Sequence, residues 1–197
     1  SHCFGEQPSV PVPWNMSRMD LDGFHQMHDG SPVRLLEHIR QVLLLHPEVE
    51  VMVGSDSQNR SSSTIYTTTV VLRFPRNGAH VLYRRERQAR IRDLWTRLWG
   101  EVERSVAVAD ALVREGGVKV ARIDMDLNSD PKHGSHRLHA TALGFVRAQG
   151  YEPRTKPDLL MASWAANVLC HCGLSTVRKH EAPTGLRPRQ GRRDSSD

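Results

Sequence analysis

Within ARIDMDLNSD, residues 121–130, Asp124, Asp126 and Asn128 alternate with Ile123, Met125 and Leu127. A β-strand alternates its side chains with period two, so these three polar groups share one face. Carboxylates held this close repel one another unless a positive charge lies between them. Two further acids stand out by position. Asp56 follows Gly54 at the end of the strand-like run VEVMVGSDSQ. Glu101 falls in the stripe Leu94, Leu98, Ser105, Val108 and Leu112 of a long helical segment, whereas Glu103 falls on its opposite side. A glutamate facing inward needs a partner, because burying an unpaired charge is costly. Pairing with an arginine, or emergence at the rim of the core, competes with a functional role for Glu101.

Convergent carboxylates suit Mg²⁺ or Mn²⁺, hard cations that take oxygen ligands and keep sites free for water and phosphate. One ion, or two roughly 3.5–4 Å apart, can activate water and stabilise the leaving oxygen of a phosphodiester. Zinc fits less well, since Cys170, His171 and Cys172 are adjacent in sequence and too tightly spaced for a usual site; they read as core or tail residues. His133, His136 and His139 follow the acidic strand at steps of three. They suit phosphate contact or proton transfer, and equally a solvated helix N-terminus. Ser57 and Gln58 beside Asp56, together with His136 and Lys156, are the candidate substrate contacts. Arg84, Arg85 and Arg87 either position a nucleic-acid backbone or belong to a solvated edge strand.

These groups must be positioned by elements with their own signals. Residues 1–30, rich in Pro, Gly and polar groups, read as a loose arm, and Ser31 and Pro32 as the cap and first residue of an added helix over 31–46. The run 49–58 is a strand, TIYTTTVVLRF a second, and Asn77-Gly78 the turn to a third, AHVLYRRE. A helix spans about 91–115 and stops at Gly116-Gly117. The acidic strand follows, then a helix ending at Gly150, a short edge strand YEPRTKP, and a closing helix LLMASWAANVLCHCG. A meander followed by alternating helices and strands predicts an α/β fold: a mixed five-stranded sheet, three strands antiparallel and two parallel, with helices on both faces. If the first and fourth strands are parallel neighbours, Asp56 and Asp126 lie at one edge of the sheet.

VGSDSQ (53–58), EVERS (101–105), DMDLNSDP (124–131) and KPDLLMASWAAN (156–167) occur in an order that resembles the bacterial YkuK-type family of ribonuclease H-like proteins. The resemblance covers roughly residues 49–168. It implies the ribonuclease H fold, with the first and fourth strands side by side, and a metal-dependent nuclease site. Carried over by position, it makes Asp56, Glu101 and Asp126 the catalytic and metal-binding set, with Asn128 in support. Asp124 has no fixed counterpart and stands, with Asn128, as a further metal-ligand candidate or as a purely electrostatic neighbour. Asp158 and Asn167 are the candidates for a fourth ligand, and an Asn there would coordinate weakly.

Charge and composition set outer bounds. The 197 residues carry a net charge of +5, with 38% hydrophobic and 25% charged residues, enough for one good-sized domain, assigned to 31–177. A basic, Pro- and Gly-rich stretch over 178–197 is expected to be a disordered tail able to add affinity for a polyanion. No apolar run reaches the length of a membrane span, and Cys3, Cys170 and Cys172 are an odd set for a disulfide framework, so a reduced cytoplasmic setting is expected. Two functions follow: a nuclease acting on RNA, DNA or a hybrid, or a catalytically silent nucleic-acid-binding or regulatory protein of the same fold. Oligomeric state is not legible.

Overall fold

The β-branched run in the middle of the chain forms the centre of a single sheet. The computed structural model describes residues 21–76 and 78–171, and the basic stretch 178–197 lies outside them. The strands are β1 (Phe24–Gln26), β2 (Pro32–Val33), β3 (Glu50–Asn59), β4 (Ser63–Phe74), β5 (Gly78–Ala89), β6 (Val120–Asn128) and β7 (Pro153–Lys156). The helices are α1 (Leu35–Leu45), α2 (Leu94–Gly116), α3 (His136–Ala148) and α4 (Met161–His171). The sheet has seven strands in the order β2-β1-β5-β4-β3-β6-β7, not the five expected.

The two additional strands come from residues expected to be a loose arm and a helix cap. The Asp29 carboxylate accepts the Ser31 N–H at 2.9 Å and Gly30 adopts φ +74°, so the chain reverses before α1 begins. Ser31 thus closes a turn instead of capping a helix, and Pro32 pairs with His25 on an edge strand, where its missing N–H is tolerated. β1 then pairs with β5 through His25↔Tyr83 and Gln26↔Leu82, burying Phe24 completely. β5 is therefore not an edge strand.

β3, β4 and β5 form the antiparallel meander, while β3 with β6 and β6 with β7 are parallel. One face of the sheet carries Val51, Val53, Val70, Leu72 and Ile123 against Ile39 of α1, Val102, Val106 and Leu112 of α2 and Leu138 and Ala142 of α3. The other face carries Met52 and Val71 against Ala162 and Ala165 of α4. Helices thus cover both faces, as the alternation of elements predicts. α2 starts where Asp93 accepts the Thr96 N–H at 2.7 Å and stops at Gly117, φ +62°. No described helix is long and apolar enough to cross a membrane.

Candidate active site

Gly54 sets the depth at which α4 packs. A Cβ there would stand 2.7 Å from the Ser163 nitrogen, so only a glycine lets the start of α4 approach β3 this closely. β3 continues through Gly54 to Asn59, so the chain does not turn there. The use of this glycine is close approach. That approach brings the Ala162 N–H to 2.8 Å from Asp124 Oδ2. Arg122, two residues earlier on the same strand face, donates to Asp124 Oδ1 at 2.9 Å. Asp124 is fully buried. Burial pushes its carboxyl upward, and Ala162 and Arg122 oppose that shift. Both oxygens are therefore committed, Oδ1 to Arg122 and Oδ2 to the α4 N-terminus, a favourable place for an anion.

The parallel register pairs Val53 with Ile123 and Gly54 with Asp124; Asp56 and Asp126 each lie two residues beyond its last pair, and the Asp126 charge reaches Asp56. Asp56 is raised above the ordinary carboxylate range by burial, with the Asp126 charge adding to the rise and His171 opposing it. Asp126 forms an ion pair with Lys156 Nζ at 2.6 Å. Glu101 reaches in from the middle of α2 and is only 5% exposed. It accepts the Ser57 hydroxyl at 2.5 Å and lies 3.7 Å from Arg97, one helical turn away. Burial holds Glu101 well above its ordinary range, and the charges of Asp56 and Asp126 push it further. The three carboxylates therefore share one electrostatic neighbourhood, although Glu101 comes from the helix covering the opposite face of the sheet.

The remaining candidates are placed less centrally. Ser57 is buried; it bridges Glu101 and Arg97, which donates to its hydroxyl at 2.6 Å and its carbonyl at 2.8 Å, so it is an internal link instead of a substrate contact. Gln58 lies on β3, and its Oε1 is buried with no hydrogen-bond partner among the described residues. The Asn128 side chain accepts the Asp130 N–H at 3.0 Å and closes the turn after β6. Asp158 is held by Arg154 at 3.4 Å and is half exposed. Asn167 sits one turn before His171 on α4; its carbonyl lies 2.8 Å from the His171 ring. His139 meets Thr155 at 3.0 Å. His136 contacts the Ser129 carbonyl at 2.6 Å and lines a groove with Asp93, Trp95, Lys132, His133 and Arg137.

The arginines of β5 turn inward or serve the scaffold. Arg84 stacks over Phe24 and pairs with Glu86, Arg85 caps the last turn of α4 at the Leu169 carbonyl, and Arg87 donates to Ser63. Residues missed in the sequence are Arg97, Arg122 and, read there only as a core or tail residue, His171, whose charge opposes the rise of Asp56. The first two were findable at i−4 from Glu101 and i−2 from Asp124, spacings that share a face of a helix and a strand. Cys170 is buried in the core, its thiol pushed up to about 12 chiefly by burial, which leaves it inert.

Among the described residues, no group of three or more His, Cys, Asp and Glu side chains stands close enough together to hold a metal ion. The donor chemistry nonetheless fits a hard cation: Asp56, Glu101 and Asp126 offer oxygen alone, and the mutual repulsion that raises Asp56 and Glu101 is what a cation would relieve. Uptake would require the carboxylates to exchange Lys156, Ser57 and Arg97 for that ion.

A mixed sheet with an antiparallel meander, two parallel strands and acids at the ends of adjacent parallel strands defines a protein of the ribonuclease H type. A family model described as Ribonuclease H-like matches residues 34–170, and the chain belongs to that family. No curated protein and no solved structure gives a match.

Proposed function

We propose that this protein is a metal-dependent nuclease of the bacterial YkuK-type group, hydrolysing phosphodiester bonds in RNA, DNA or a hybrid. The observation that carries this reading is that Asp56 and Asp126, each two residues beyond the last paired residues of adjacent parallel strands, share one electrostatic field with Glu101. Asp56, Glu101 and Asp126 would hold Mg²⁺ or Mn²⁺. Such an ion supplies Lewis acidity and an activated water. Lys156, once released from Asp126, would be free to meet a phosphate, and Lys132 and Arg137, which line the groove with His136, would supply further cationic contacts. Trp95, 43% exposed in the same groove, offers a surface on which a base can stack.

The second reading, a silent nucleic-acid-binding or regulatory protein, is favoured by the Lys156–Asp126 pair, which already neutralises one proposed ligand. One experiment separates the two. Purified protein is incubated with labelled RNA, DNA and hybrid in Mg²⁺, Mn²⁺ or chelator. Metal-dependent cleavage that is lost in Asp126→Asn supports the nuclease. Salt-sensitive binding without any product supports the silent protein.

A further inference from the structure

Away from the carboxylates, three histidines meet where the first hairpin covers β5. His38 lies on α1, His80 on β5, and His28 in the β1–β2 turn. His38 Nε2 and His80 Nε2 are 3.0 Å apart, with ring centroids 5.1 Å apart. Two imidazoles bound at about 2.0–2.1 Å to one tetrahedral ion have nitrogens roughly 3.3 Å apart and centroids roughly 5.1 Å apart. The pair already stands at ligand spacing. The His28 ring centroid is 5.9 Å from that of His80, less than about an ångström beyond that spacing, so the three rings stand just short of an ion-holding group and His28 must swing inward to complete one.

Two features prepare His28 for the third position. The Met27 N–H donates to the Val81 carbonyl at 2.9 Å, fixing the turn against β5 one residue from His80. His28 Nε2 lies 3.2 Å from the Asp29 carboxylate, which leaves Nδ1 as the ring nitrogen that an ion would take. Metal-binding histidines characteristically give their second ring nitrogen to such a carboxylate, which fixes the tautomer and raises basicity. A neutral hydrogen bond between His38 and His80 accounts for that pair alone, but not for a carboxylate-backed third histidine beside it.

We propose that His28, His38 and His80 bind one zinc-like divalent transition-metal ion at a site separate from the carboxylates. All the donors are imidazoles, which select Zn²⁺, Co²⁺, Ni²⁺ or Cu²⁺ over Mg²⁺ and Mn²⁺. The ion would tie the β1–β2 turn to α1 and β5, so its occupancy stabilises the folded state by mass action.

The test uses chelator-stripped full-length protein titrated with Co²⁺, followed by visible absorption and calorimetry, with Zn²⁺ as competitor. One Co²⁺ is expected to bind with the absorption bands of a tetrahedral nitrogen-rich site and to be displaced by Zn²⁺. The Asp126→Asn protein keeps that site. His38→Gln and His80→Gln, folded by circular dichroism, each lose about tenfold or more in affinity, and Asp29→Asn loses about tenfold. His28→Gln, altered in an exposed turn, gives the same loss if the other variants do not fold. Absence of a Co²⁺ band in the wild type, or unchanged affinity in His28→Gln, overturns the site.

Discussion

Asp124 and Asp126 are two residues apart on one strand face, yet their surroundings assign them different work. Asp124 is sealed between Arg122 and the first turn of α4, whereas Asp126 keeps an accessible edge and pairs with the half-exposed Lys156. Asp124→Ala would strand a guanidinium and a buried N–H, and is expected to destabilise the fold by about 3 kcal/mol in urea unfolding. Asp126→Asn should leave the urea midpoint nearly unchanged; equal losses in both variants would refute the division. Lys156→Met frees the Asp126 carboxylate, so calorimetry should find Mn²⁺ bound several-fold more tightly than in the wild type. Weaker binding would show instead that Lys156 supports the ion's site. The acids and their alternation were legible in the sequence because strand periodicity is local. Their partners were not, since Lys156 lies thirty residues from Asp126 and meets it only through the pairing of β6 with β7.

At the level of elements, the position of α4 decides how the acidic edge is built. Gly54 brings the helix start against β3, and the helix end delivers Cys170 to the Asp56 carbonyl at 3.4 Å. Gly54→Ala puts a methyl group within 2.7 Å of the Ser163 backbone nitrogen, a contact that only movement of the helix can relieve. It should lower stability by about 1–3 kcal/mol in urea unfolding and weaken the Asp124–Ala162 anchor. A variant as stable as the wild type would show that α4 is not pinned there. Most element types follow from sequence pattern, including the meander and the helix stopped by Gly117. The first hairpin escaped because its strands are three and two residues long, too short for any periodicity, and β1 draws its pairing from β5.

For the molecule as a whole, the hairpin seam should govern how stability responds to acid. Burial lowers His38 and His80 below the ordinary histidine value of 6.5, and the neighbouring histidines lower His80 further. The unfolded chain therefore takes up protons at a higher pH than the folded one. Stability is unaffected well above 6.5, falls as pH drops from that value towards the depressed folded values, and levels off below them. In chelator, urea midpoints measured between about pH 7.5 and 5.5 should fall more steeply for wild type than for His38→Gln or His80→Gln. Parallel profiles would exclude the seam as the source.

The sequence by itself determined most of the strand and helix types and the acidic face of β6, and singled out the three carboxylates of the candidate site, because each rests on periodicity or on a motif within a few residues. Only the tertiary structure decided that Asp124 anchors a helix, that Lys156 and Arg97 hold Asp126 and Glu101, and that His38 meets His80 across forty-two residues of chain. These pairings depend on which strands lie side by side and how closely a helix can approach them. That information belongs to the packed sheet and to no single segment of it.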